Sequence, residues 1–158
     1  MKKIALVAIP LLLVGRPALA GTEQGSGALS LSALVAEYSP AVKAAEKALL
    51  LKYLEGDAKA AHAPGKKINV NAELVTCRIS DVDITAHSCE LAFGAKKDTI
   101  KGRKAHELYA TLVEIGVPFE GAAGSIIEAI SNLECTVDPD EVKQGGGGGA
   151  HCKYDPAK

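Results

Sequence analysis

The stretch INVNAELVTCRISDVDITAHSCELAF, residues 68–93, decides the fold. Ile68, Val70, Ala72 and Leu74 alternate with polar residues, the period of a half-buried strand. Val75, Cys77 and Ile79 carry the apolar face one residue out of phase, as a β-bulge does. Ser80-Asp81-Val82-Asp83 supplies a polar turn, and residues 84–93 read as the returning strand. Cys77 and Cys89 lie nearly symmetrically about that turn, so a hairpin sets them opposite each other, within reach of a disulfide.

Outward from this hairpin, the spacing of Leu29, Leu31, Leu34, Val35 and Tyr38 predicts a short helix. Ser39-Pro40 is a helix-start signal, and a second helix is expected over 40–54 with Val42, Ala45, Leu49 and Tyr53 inward. Residues 58–63 extend it weakly before Pro64-Gly65. A short strand is expected at 98–101 and a helix at 103–115, with Ala105, Leu108, Leu112 and Ile115 as its inner stripe. Residues 127–137 alternate and read as a strand, although Ile126, Ile130, Leu133 and Val137 also fit a helix. Residues 144–150, with five consecutive glycines, read as a tether. The fold class expected is α+β: a small antiparallel sheet of three or four strands, two to three helices on one face, stapled by disulfides. The domain would run from 28 to 142, after a flexible leader at 21–27 and before a tail at 143–158 tied back by a disulfide.

The N-terminus reads as a secretory signal peptide. Lys2 and Lys3 precede an 11-residue apolar run from Ile4 to Val14, and Ala18-Leu19-Ala20 offers a cleavage site after Ala20. The run is too short to span about 30 Å of hydrocarbon. Gly21 follows the site where a lipoprotein carries cysteine, so no lipid anchor is expected there. Periplasm or extracellular medium is the expected location, with no transmembrane segment after cleavage. Removing residues 1–20 takes the basic residues from 18 to 15 against 19 acids, a net charge near −4. A mildly acidic chain with no Trp and only six Phe and Tyr residues has neither the field nor the stacking platforms of a nucleic-acid binder.

Cys77, Cys89, Cys135 and Cys152 are an even number in an oxidising compartment, where disulfides are the default. Four cysteines allow three pairings, and hairpin geometry favours 77–89 with 135–152. The competing use is metal binding by His87 and His151 with unpaired cysteines. There is no C-x-x-C, and neither histidine stands at a usual zinc spacing from a cysteine. No cofactor is expected.

Lys96, Lys97, Lys101, Arg103 and Lys104 place five cations within nine residues, two of them in a first helical turn where the macrodipole disfavours positive charge. They are the candidate anion patch. Gly121-Ala122-Ala123-Gly124-Ser125 lacks the lysine of a phosphate loop. Asp81 and Asp83 are explained by turn chemistry. No G-x-S-x-G or H-E-x-x-H occurs, and His62, His87, His106 and His151 are scattered, with His106 read as a partly buried core residue.

The order helix-strand-strand-helix-strand, with Gly116-Val117 after the second helix and Ile130-Ser131-Asn132-Leu133 in the last strand, resembles the BON domain over a minority of the chain. That family comprises small exported bacterial modules, and the resemblance implies attachment to envelope lipid. Residues 118–125 and the cysteines depart from its pattern, and topology alone does not establish function. The functional expectation is therefore a non-enzymatic exported binding or structural protein of unknown protein or envelope partner. The alternatives are an envelope module binding anionic lipid or polymer through residues 96–104, and a periplasmic metal-binding protein.

Overall fold

A computed structural model describes residues 20–122 and 125–157. Nearly all of the expected signal peptide, residues 1–19, lies outside the described residues. The chain runs β1 (Gly21–Gln24), α1 (Ser26–Tyr38), α2 (Ala44–Leu54), β2 (Ile68–Ile79), β3 (Ser88–Phe93), β4 (Lys96–Lys101), α3 (Arg103–Glu114), β5 (Phe119–Ala122), β6 (Ser125–Val137), α4 (Pro139–Gly145) and β7 (Ala150–Pro156). The expected α+β class holds, but among the described residues the sheet has seven antiparallel strands where three or four were expected, and there are four helices where two or three were expected. Strand order is β1-β7-β6-β2-β3-β4, with β5 hairpinned onto β6.

β2 and β6 form the spine. They pair antiparallel from Ile68↔Val137 to Ile79↔Ile126. β2 buries Ile68, Val70 and Ala72, then Val75, Cys77 and Ile79, so the phase slip read from the sequence is present. β6 makes the matching slip: Glu128 and Ile130 are buried, then Leu133, Cys135 and Val137. One residue drops out of the ladder on each strand, Glu73 and Asn132, so the register on either side is unchanged. Asn132 adopts φ +51°, the left-handed conformation that asparagine tolerates better than most side chains.

The disulfides carry this spine outward. Cys77–Cys89 ties β2 to β3, and Cys135–Cys152 ties β6 to β7, the connectivity that hairpin geometry favours. Each joins directly opposed ladder partners, with Cα atoms 4.0 and 4.1 Å apart. α1 lies over β7, β6 and β2, and α3 over β2, β3 and β4. Leu31, Val35, Leu50, Leu108, Leu112 and the inward strand residues form one core. The alternation of buried and exposed residues along the strands leaves the opposite face polar, as antiparallel sheets allow.

Several local expectations are corrected. α2 begins at Ala44, not Pro40, because α1 runs on to Tyr38 and uses the Ser39 N–H to close its last turn on Val35 and Ala36. Pro40 thus follows a helix end rather than opening a helix. The Lys43 N–H at the new start donates to Glu46 Oε2 at 3.0 Å. Ala45 is exposed, and Leu50 takes its place inside. Residues 58–63 do not extend the helix. Residues 84–86 form a short 3-10 turn, since Asp83 Oδ1 accepts both the N–H and the hydroxyl of Thr85, and β3 starts only at Ser88.

The stretches read as leader and tail are structural. Residues 21–24 pair with β7, and Cys152 sits mid-strand. The glycine run folds as α4 and a 3-10 turn, with the Asp138 N–H donating to the Gly149 carbonyl at 2.8 Å. A Cβ on Gly149 would lie 2.6 Å from the Asp138 carbonyl oxygen, so this close approach requires glycine.

Replacing Cys135 and Cys152 with alanine should lower unfolding stability by about 3 kcal/mol, because the unfolded chain regains the entropy of an open loop. Denaturant titration measures the loss, and hydrogen exchange should show β1 and β7 opening before the β2–β6 spine.

Candidate functional site

The residues singled out in the sequence are dispersed. Lys96, Lys97 and Lys101 lie on β4, a free edge of the sheet, where lysines obstruct pairing with another sheet. Three of the five cations have acidic partners. Lys96 Nζ is 3.0 Å from Asp98, Arg103 Nε is 3.2 Å from Glu107, and Lys104 pairs with Glu37. The cluster is therefore largely neutralised at short range. His87 and His151 are not brought together. His151 is exposed on β7, 3.9 Å from Glu141. His87 is buried beside α3, and no cysteine is free to join either as a thiolate. The cysteines are structural throughout.

Two features emerge that the sequence did not flag. The first is a cleft of about 420 Å³ at the paired slip. The α1–α2 connection, the β3–β4 turn, β2 and β6 each contribute a wall. Asn71 and Glu134 are ladder partners, and Glu73 and Asn132 are the two residues left out of the ladder. Phe93 gives an apolar wall next to the two-residue turn Gly94-Ala95, in which Gly94 takes φ +63°. Ser39 completes the lining, 1% exposed, and its hydroxyl has no hydrogen-bond partner among the described residues. A buried hydroxyl without a partner costs about 1–3 kcal/mol, so a water or a ligand atom that reached it would be stabilised there.

The second is Glu128, which lies on β6 as the ladder partner of Cys77 and is only 1% exposed. Neither carboxyl oxygen has a hydrogen-bond partner among the described residues. Burial pushes its pKa from the ordinary 4.5 up to about 7. Tyr109 on α3 also titrates above its usual value, through burial and then the nearby Glu128 charge. The Tyr109 ring lies against His106, whose ring stacks on His87 at 5.1 Å. His87 Nε2 is 2.7 Å from the Ser80 carbonyl, which can only accept, so this nitrogen carries a proton. In the neutral ring that leaves His87 Nδ1 as acceptor for the His106 Nδ1–H at 3.2 Å. The pair pins the 80–87 loop to α3. Alternating Ile, Ala and Ser around Glu128 gave no sign of it, since a lone acid within a strand ordinarily marks the solvent face.

No family model, no curated protein and no solved structure matches the chain. The BON resemblance thus rests on element order alone, and the added strands β1, β5 and β7 depart from that order.

A raised native pKa means that the folded protein binds a proton which the unfolded chain has already released between pH 4.5 and 7. Stability should therefore fall as pH rises through that window, by about 3 kcal/mol at most. Glu128→Gln should flatten this slope and make the protein more stable than the wild type at pH 8, as measured by denaturant midpoints across pH.

Proposed function

We propose that this is a non-enzymatic exported binding protein whose ligand occupies the cleft at the paired slip of β2 and β6. The observation that carries the reading is the open cleft itself, whose lining includes Ser39, a buried residue with a partnerless hydroxyl. A volume near 420 Å³ is in the range of small-molecule or single-side-chain sites. The signal-like N-terminus and the two disulfides support function in an oxidising compartment. A rigid sheet supports recognition more readily than an unstapled one, because less conformational freedom is lost on binding. The lysine cluster on β4 is the weaker surface for a ligand, since Asp98, Glu107 and Glu37 already answer three of its charges.

Two variants test the site. Ser39→Ala removes an unsatisfied group, so stability should hold or rise by about 1 kcal/mol. Ala41→Trp places an indole in the cleft from an exposed position. Amide-detected NMR titration of the wild type with a panel of small amines, carboxylates, alcohols and amides should move the Ser39, Asn71 and Asn132 signals. Ser39→Ala should weaken that response and Ala41→Trp should remove it, with the melting temperature kept. A panel that moves no cleft signal, or moves them equally in Ala41→Trp, overturns the reading.

A further inference from the structure

We infer that the cleft takes an organic cation, an alkylammonium or guanidinium group; this rests on the cleft being the binding site. Two carboxylates, Glu73 and Glu134, line it, and among the described residues neither has an ion-pair partner or a side-chain hydrogen bond. The carboxamides of Asn71 and Asn132 lie beside them, and Asn132 Nδ2 is spent on Asp155 at 2.9 Å, which leaves its oxygen to accept. The lining is therefore rich in acceptors and contains no basic side chain. Two cations stand near the rim: the Lys96 ammonium is held by the Tyr38 carbonyl at 3.3 Å and neutralised by Asp98, and Lys153, the ladder partner of Glu134 on β7, is exposed and within 4 Å of no acidic side chain among the described residues.

The Ser39 hydroxyl is the independent indication that a ligand belongs there. It can accept a hydrogen bond from an N–H donor. Phe93 adds an aromatic wall against which a cation or its methylene stem can rest. An anionic ligand would meet two uncompensated carboxylates, whereas a neutral one would leave both unanswered. A cation answers both carboxylates and the hydroxyl together, and its attraction should weaken with salt.

Two sources supply this chemistry: a free polyamine, and a lysine or arginine side chain of another chain. The probes are spermidine, the capped tripeptide Gly-Arg-Gly and, as controls, glutarate and butanamide, titrated against the complete protein by NMR at low salt. Spermidine or the peptide should move the Ser39, Phe93 and Asn132 amides, and which of the two binds tighter identifies the source. Glu73→Gln combined with Glu134→Gln should weaken binding at least tenfold, while Glu114→Gln on the far end of α3 should not. Both replaced glutamates are exposed, and unchanged thermal melting shows that the double variant folds. If glutarate or butanamide moves the cleft signals and the cations do not, or if the double variant binds cations as well as the wild type, the cation assignment is overturned and the cleft stands. If no probe moves them, the assignment and the cleft fall together.

Discussion

The pairing of β2 with β6 is the constraint on which the rest of the molecule depends. These strands meet along their whole length, with most of the sheet's inward apolar residues on one or the other. Every other strand except β1 and β4 is attached directly to one of them. Because side chains alternate with a period of two, a one-residue slip in β2 alone would turn half of its apolar residues to solvent. The matching slip in β6 avoids this. The two strands change phase at the same point, so Cys77 and Cys135 both face the core and both disulfides form on the buried side. The left-handed backbone of Asn132 is the local strain that this arrangement carries, of order 1 kcal/mol.

Much of this was legible in residues 68–93. The strand period, the slip and the cystine partners follow from spacing, because a hairpin around a polar turn leaves few alternatives. The 127–137 segment was ambiguous since isoleucine and leucine at those positions satisfy both periods, and β-pairing with β2 settled it as a strand. The edge strand β4 was partly legible, as the short strand expected at 98–101, but the outer strands β1, β5 and β7 were not. β1 and β5 are four residues each, too short for any periodicity to register. In β7, Ala150, Cys152 and Tyr154 do alternate inward, but five preceding glycines outweighed that signal. The glycines are needed for close packing against Asp138, not for slack. The candidate cleft was invisible for a different reason. Its residues come from four separate segments, and none is unusual in its own neighbourhood.

Glu128 and Ser39 are two of the four residues, alongside Tyr53 and Asp98, that hold a buried polar atom without a hydrogen-bond partner among the described residues. They differ in kind. Glu128 can shed its cost by taking up a proton, so its penalty varies with pH and it needs no partner to be tolerated. A serine hydroxyl has no such recourse in the accessible pH range. Only a donor or acceptor brought to it can satisfy it, and it stands at a cavity wall that can admit one. Of the two, Ser39 is therefore the one relevant to the proposed cleft ligand, whereas Glu128 bears on stability.

The position of the cleft along the spine supports the same conclusion. Cys77 lies four residues beyond Glu73 on β2, and Cys135 three beyond Asn132 on β6. In an antiparallel pair those directions are opposite, so the two disulfides bracket the slip from its two ends. A paired irregularity in an unbraced sheet could relax by local opening, which is least costly where ladder bonds are missing. Here each strand is held to its outer neighbour on one side of the irregularity, and relaxation must move β3 or β7 as well. The cross-links thus hold Glu73 and Asn132 in place without adding any contact to the cleft itself. For the proposed binding site this means a geometry set before any ligand arrives, because the disulfides limit the freedom of the cleft walls.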